Sequence, residues 1–366
     1  MRILVIDPPA DLARDLQKRA FQSGKLALTV ASASNPLVTD MGSSRFIPFQ
    51  SKRKLDISSI RVLRREIQSN QPDLVHAFLP RGLAQTVLAT AGMHSKPRIV
   101  SFYGITRVPT WRDPANWITY LSPRVAAHAC ESMAVKQALV QGGVAEDKCQ
   151  VVYNCVSPTS SSSTRAELLA RFNIPADAFV VGTVATIRPI KGIDVLLRAL
   201  ADCSHVPNIY ALVAGSVNDP LVEMLAKDPR IADRIRMPGY LDGASSIMKA
   251  MDLFVMPSRK EGLCRALLEA MGQSICPVVS DAGGMKEIVR HNIDGIVFPS
   301  EDHHTLSNAI LSLHGSKSRI ARYRESALQR VQDMCSPSVV GDRMMQFYGR
   351  FAAAPVAGLA LPIANC

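Results

Sequence analysis

The 366-residue chain has no stretch of about 18 consecutive apolar residues, which argues against a membrane-spanning helix. Its opening, Met1-Arg2-Ile3-Leu4-Val5-Ile6-Asp7, has neither the long apolar run nor the small-residue cleavage site of a signal peptide, so the expected location is the cytosol. Eight cysteines are scattered without a C-x-x-C pair or Cys/His ligand spacing, as expected of reduced core thiols rather than a disulfide framework or zinc site. The Rossmann G-x-G-x-x-G and the P-loop G-x-x-x-x-G-K-[ST] are absent, which argues against dinucleotide oxidoreductases and P-loop ATPases. There is no D-x-D triplet to hold a divalent ion, so phosphate chemistry here has to rely on protein cations. Glu301-Asp302-His303-His304 suggests a metal, but adjacent residues rarely converge on one ion. A solvated loop is expected there, with no metal and no cofactor.

What is present is a large apolar fraction. Hydrophobic residues make up 47% and charged residues 20%, enough for two cores, and the length suits two domains. Short β-branched runs alternate with helical stretches throughout. Strands are expected at Ile3–Ile6, Leu26–Ala31, Leu74–Ala77, Ile99–Tyr103, Ala126–Cys130 and Val151–Tyr153. A second series is expected at Val180–Ile187, Tyr210–Ala214, Leu253–Met256, Pro277–Ser280 and Ile296–Phe298. Continuous apolar strands between helices indicate parallel sheets covered on both faces, hence two doubly wound, Rossmann-like α/β domains. The polar run from Ser157 to Thr164 marks the boundary, a helix is expected at Arg165–Phe172, and the last helix spans about Val339–Phe351. The divisions expected are 1–156 with the crossover helix 337–352, a linker region at 157–172, a second domain at 173–336 and a loose tail at 353–366. Charge is unevenly spread: residues 1–170 hold 21 Lys and Arg against 12 Asp and Glu, whereas 171–366 hold 21 against 19. A basic first half implies an anionic surface or partner.

Ligands of doubly wound sheets sit beyond the carboxyl ends of the strands. Three loops there carry chemistry. In Thr186-Ile187-Arg188-Pro189-Ile190-Lys191-Gly192, two cations three residues apart leave a strand end, suited to the charge that grows on a departing phosphate; a solvated basic turn is the alternative. In Pro257–Gly272, Glu261 stands at the mouth of a helix expected to start at Gly262, with Glu269 about two turns inside. That is roughly 10–12 Å along a helix axis, too far for one acid/base pair but suited to gripping hydroxyls at opposite ends of a diphosphate; a mouth carboxylate plus an ordinary polar-face glutamate is the alternative. The N–H groups at such a helix start favour anions. The third loop, Ser280–Val289, holds the Gly283-Gly284 turn.

Several linked blocks then carry a resemblance. Val184-Ala-Thr-Ile-Arg-Pro-Ile-Lys-Gly-Ile-Asp194, Ala211–Gly215, Met237–Tyr240, Met256–Gly262, Glu269–Gly272, Gly283–Ile288 and Asp294–Val297 are together similar to the second domain of glycosyltransferase family 4. The Glu261–Glu269 spacing resembles that family's E-x7-E motif, and the likeness covers about residues 179–300. In the first half, Gln71–Ala77 and Val151–Asn154 are more faintly similar.

The resemblance implies a retaining, metal-independent transferase of GT-B type, with acceptor bound by the N-terminal domain and nucleotide-diphosphate sugar by the C-terminal one. It implies that Arg188 and Lys191 contact the diphosphate, that Glu261 and the N–H groups of Gly262, Leu263 and Cys264 position the donor sugar, and that Glu269 holds the ribose. Tyr240 and Leu241 would lie near the base. On the acceptor side stand His76, whose alternative role is that of a packed strand-end histidine, and Tyr103, and Arg107, Trp111, Arg112 and Trp117 form an aromatic–basic stretch whose alternative role is surface packing. The chain departs from the family at Thr186, where an arginine is common, and at Asp7-Pro8-Pro9-Ala10, where a Gly-Gly turn is common. It also has Tyr103 near a position that often holds histidine. The expected acceptor is a glycan or lipid-linked glycan of the cell envelope, and no nucleic-acid module accompanies the basic half. Rival readings are a sugar-nucleotide epimerase on the same scaffold and a non-catalytic, sugar-nucleotide-binding membrane-associated protein. Lys52-Arg53-Lys54 with Arg61, Arg64 and Arg65 on a helix from Ile57 suggest docking on an anionic membrane; Ile57, Ile60, Leu63 and Ile67 lie along one apolar face, whose alternative role is packing on the sheet.

Overall fold

The computed structural model describes residues 1–38, 44–50, 53–94, 96–157 and 163–351. The chain forms two compact units: residues 1–155 together with the last helix, and Val156–Ser336. Each carries one all-parallel sheet, as expected of the two Rossmann-like domains.

The first unit runs β1 (Arg2–Ile6), α1 (Ala10–Ser23), β2 (Ala27–Ser32), β3 (Arg45–Pro48), α2 (Ile57–Asn70), β4 (Leu74–Ala77), α3 (Pro80–Ala89), β5 (Arg98–Tyr103), α4 (Pro114–Trp117), β6 (Val125–Cys130), α5 (Met133–Gln141) and β7 (Cys149–Val151). The strands lie in the order β3-β2-β1-β4-β5-β6-β7, so the winding reverses between β1 and β4. Ile3, Val5, Val30, Val75 and Val100 are almost fully buried, the consequence of helices on both faces.

The second unit holds α6 (Arg165–Arg171), β8 (Phe179–Val184), α7 (Ile193–Asp202), β9 (Ile209–Ala214), α8 (Pro220–Leu225), β10 (Ile235–Gly239), β11 (Leu253–Met256), α9 (Arg265–Gly272), β12 (Cys276–Ser280), α10 (Met285–Ile288), β13 (Ile296–Phe298), α11 (His303–His314) and α12 (Lys317–Cys335). Its order, β10-β9-β8-β11-β12-β13, reverses between β8 and β11. The stretch expected to link the domains is partly built into this unit. Thr164 and Glu167 form a capping box at the start of α6, and the Arg165 guanidinium pairs with Asp252 at 2.7 Å. Pro158–Ser162 of that stretch, and the tail from residue 352, lie outside the described residues.

The final helix, α13 (Pro337–Gly349), packs on the first unit. Val340, Met344, Phe347 and Tyr348 recur at helical spacing and are buried, while Arg19 on α1 bonds Asp342 and the Ser338 carbonyl. A β-carbon at Gly341 would come within 1.7 Å of the Asp15 carboxylate, so glycine sets how closely α13 approaches α1.

Two strands, β3 and β10, have no counterpart in the sequence-based expectation. Both are sheet edges, paired on one side only, and β10 is half-buried along its whole length. An edge strand needs no continuous apolar run and tolerates proline, here Pro48 and Pro238.

Candidate functional site

In the second unit the loops after β8, β11 and β12 meet at the carboxyl edge of the sheet, at the reversal of strand order. Lys191, after β8, donates to the Glu261 carboxylate, after β11, at 2.6 Å. Ser258 donates to the same oxygen at 3.2 Å. The ion pair thus spans the switch point where doubly wound sheets bind ligands.

Backbone seating brings these loops together. Gly192 has φ +65°, and a β-carbon there would lie 2.0 Å from the Pro257 carbonyl. Gly283 has φ +58°, and its β-carbon would lie 1.7 Å from the Glu261 carbonyl. The Gly284 N–H completes the seat by donating to the Gly262 carbonyl at 3.0 Å. Only glycine satisfies both the left-handed backbone and the close approach. The Gly-Gly turn therefore supports the Glu261–Gly262 segment.

Arg259 is the residue that sequence reasoning missed. Its guanidinium makes paired 2.8 Å bonds to the two oxygens of buried Asp194, at the start of α7. It also bonds Glu301 and the Pro189 carbonyl, and its own N–H donates to the Ile190 carbonyl at 2.9 Å. Burial pushes the Asp194 carboxyl up, but the Arg259 guanidinium outweighs it and holds the group below the usual range. A fork of this geometry pins the turn bearing Arg188 and Lys191. Its partners stand 65 and 42 positions away, so no local spacing signals the clamp.

Arg188 itself is exposed, with no side-chain partner among the described residues. The helix expected to begin at Gly262 begins at Arg265 instead, because Cys264 holds the extended backbone of a cap position. The estimate of 10–12 Å along a helix axis therefore does not apply: Glu261 lies on the loop and Glu269 on α9. Glu269 accepts from Arg265 one turn earlier at 2.9 Å. Leu263 and Cys264 bury their side chains, and burial pushes the Cys264 thiol up to about 12. Tyr240 is 72% exposed beyond β10, following Gly239 at φ +77°. Leu241 beside it is half-buried.

His303 and His304 do converge, contrary to the solvated-loop expectation. Both present Nδ1 to one oxygen of Asp202, at 2.9 and 3.1 Å, because Asp202 at the end of α7 lies against the start of α11.

In the first unit two expected acceptor-side residues turn inward. His76 is fully buried on a central strand, its Nδ1 bonded to the Tyr348 hydroxyl at 2.8 Å. Burial pushes its pKa down to about 3. Tyr103 is 2% exposed and donates to the Arg107 carbonyl, closing the loop after β5. Burial pushes it up to about 12, against the opposing pull of the Arg107 cation. Both side chains serve the core and the loop. A different residue stands at a strand end: Asp7, directly after β1, has φ +52° and no side-chain partner among the described residues. Burial pushes its carboxyl up to about 6.

Residues 164–330 match the family described as glycosyl transferases group 1, and residues 10–160 match glycosyltransferase family 4. The chain belongs to the glycosyltransferase family 4-like proteins, with a fold of GT-B type. Among curated relatives, a D-inositol 3-phosphate glycosyltransferase of Salinispora tropica is 27% identical over 211 residues, 54% of this chain and 44% of the relative. An O-antigen biosynthesis glycosyltransferase, WclY, of Escherichia coli is 30% identical over 135 residues, 36% of this chain and 37% of the relative. The matches thus span less than half of these relatives' lengths. Among solved structures, HepE of Anabaena, in complexes with UDP and with UDP-glucose, has a TM-score of 0.73 at 19% identity, covering 96% of this chain and 100% of that one. Among the described residues of this family 4-like chain, no helix is long and apolar enough to cross a membrane.

Proposed function

We propose that the protein transfers a sugar, with retention of configuration and without a divalent metal, from a nucleotide-diphosphate donor to a glycan or lipid-linked glycan of the cell envelope. The observation that carries this reading is the Lys191–Glu261 pair across the switch point, beside the solvent-facing Arg188. A nucleoside diphosphate carries the charge these cations match, and UDP and UDP-glucose are the ligands named for the Anabaena fold relative. The O-antigen relative supports the envelope glycan as acceptor class.

In this reading the second unit holds the donor. Arg188 and Lys191 meet the diphosphate, and the positive charge stabilises the leaving oxygen as the glycosidic bond lengthens. Glu261 and the N–H groups of Gly262, Leu263 and Cys264 orient the sugar, Glu269 holds the ribose, and Tyr240 with Leu241 borders the base. The departing phosphate oxygen takes the acceptor's proton on the same face, so no covalent carboxylate is required. The test is a panel of nucleotide sugars incubated with the protein in excess chelator, with water as the acceptor and the slow release of nucleoside diphosphate and free sugar measured. Release from one donor class is expected in chelator. Activity abolished by chelator and restored by Mg²⁺ or Mn²⁺ sinks the metal-independent mechanism.

The first unit is read as docking on anionic membrane. On α2, Leu63 and Ile67 pack into the core, whereas Ile57 is 63% exposed and Leu55 beside it 67%. Arg53, Arg61 and Arg65 are exposed, but Arg64 is committed to the Ala89 and Ala91 carbonyls at 3.0 and 2.9 Å. Lys52 lies outside the described residues. Each solvated cation contributes about 1 kcal/mol near an anionic leaflet, diminishing with salt. Sedimentation with anionic vesicles is expected to exceed that with neutral ones and to fall when Arg53, Arg61 and Arg65 become Ser. Equal binding to both vesicle types refutes the docking.

A further inference from the structure

We infer that the first unit carries a binding site for a phosphate ester whose body, a sugar ring or a prenyl chain, has an apolar face, formed by Lys54, Arg107 and the Thr110–Trp117 segment. The inference rests on the glycosyltransferase reading and names the chemistry of its acceptor.

A cavity of about 160 Å³ lies where the loop after β5 meets the approach to α2 and the start of α3. Lys54 and Arg107 line it, together with Tyr103, Tyr120 and Asn116. Neither cation has a side-chain partner among the described residues. Among the described residues Asp113 is the one carboxylate on the wall, and it is occupied in capping α4, accepting from the Ala115 N–H at 3.0 Å. Two uncommitted cations against one committed carboxylate leave the cavity short of negative charge, which an anionic ligand supplies. The volume is that of a site able to hold one ring or one phosphate head, so the rest of a larger ligand must extend outside.

The chain's two tryptophans provide a surface for that extension. Trp111 and Trp117 are 57% and 53% exposed, although tryptophan is on average a highly buried residue. Each adjoins a cavity-lining residue in sequence, Thr110 and Asn116. They are held rather than loose: the Trp117 indole donates to the Trp111 carbonyl at 2.8 Å, and Asn116 donates to the Thr110 carbonyl at 2.8 Å. The Tyr103 hydroxyl on the Arg107 carbonyl closes the loop from the other side. Gly142 and Gly143 seat it from below, since a β-carbon at Gly142 would meet Pro109 at 2.6 Å and one at Gly143 the Trp111 indole at 3.3 Å. A fixed pair of exposed indoles beside a cationic cavity matches a ligand with an apolar face, such as a sugar ring or a prenyl chain, joined to phosphate.

Because both tryptophans lie in this segment, tryptophan emission excited at the red edge reads the site directly, and the second unit has no tryptophan to contribute. The untagged protein is titrated with glucose 1-phosphate, farnesyl diphosphate and neutral octyl glucoside. Saturable shifts are expected with the phosphorylated ligands, with half-saturation raised about tenfold in Lys54→Ser and in Arg107→Gln. Preference for farnesyl diphosphate assigns a lipid-linked ligand, and equal or greater affinity for glucose 1-phosphate assigns a soluble one. A shift that is absent with both phosphorylated ligands, equal with octyl glucoside, or unchanged in both variants overturns the inference. Failure of the donor reading is separate, because it appears as absence of nucleotide-sugar turnover.

Discussion

Lys191→Ala is expected to lower turnover by about 10²–10³ while leaving the protein folded. The Lys191 ammonium has three donors, and the Glu261 carboxylate takes one of them at 2.6 Å. The others remain for the diphosphate, where their contribution grows as negative charge collects on the leaving oxygen. Removing the ammonium therefore weakens the transition state more than the bound donor. It also strands the half-buried Glu261 carboxylate beside an anionic ligand, which deepens the loss. Glu269→Ala is expected to behave differently, raising the donor KM with little change in kcat, because a ribose contact hardly alters along the reaction. Steady-state kinetics with the donor selected from the panel separates the two patterns. Near-normal turnover in Lys191→Ala would remove the cationic turn from the mechanism.

Acidification from pH 7 to pH 5 is expected to cost the first unit about 3 kcal/mol of stability. His76 and His128 are both buried in its sheet, the latter with Nδ1 at 2.7 Å from the Ser101 hydroxyl. Burial, joined at His128 by Lys148, pushes their pKa values down to about 3 and about 4. Their folded values lie below the ordinary value of 6.5, so below that pH the unfolded chain takes up protons that the folded one refuses. The stability they provide is complete above pH 6.5 and lost as the pH falls toward 4 and 3. Over the window from 7 to 5 each costs about 2 kcal/mol. Asp7 has the opposite sign. Its carboxyl, raised to about 6, binds its proton more tightly when folded, so acidification returns about 1 kcal/mol. Urea unfolding followed by tryptophan emission at the two pH values measures the sum, since both tryptophans report on this unit. A stability that is flat or rises on acidification contradicts the buried, neutral imidazoles.

The sequence by itself determined the architecture and the location of the chemistry. Continuous β-branched runs required sheets covered on both faces, and alternation with helices required parallel strands. That places the loops after β8, β11 and β12 at a ligand-binding edge. The linked blocks from Val184 to Val297 carried the family, because their residue types and their order are themselves the signal. Local pattern did not reach the edge strands β3 and β10, which pair on one side and need no apolar run, nor the late start of α9 at Arg265, set by the extended backbone of Cys264. Only the tertiary structure decided which way side chains at strand ends point. His76 and Tyr103 have the chemistry of site residues, but a central strand packed on both sides turns the first into the core, and the Arg107 carbonyl claims the hydroxyl of the second. Trp111 and Trp117, for which surface packing was the alternative, stand exposed because the Gly142-Gly143 turn seats their loop from beneath. Arg259 shows the limit most plainly. Its carboxylate partners come from α7 and from the loop after β13, and only folding brings segments so distant in sequence within hydrogen-bond reach.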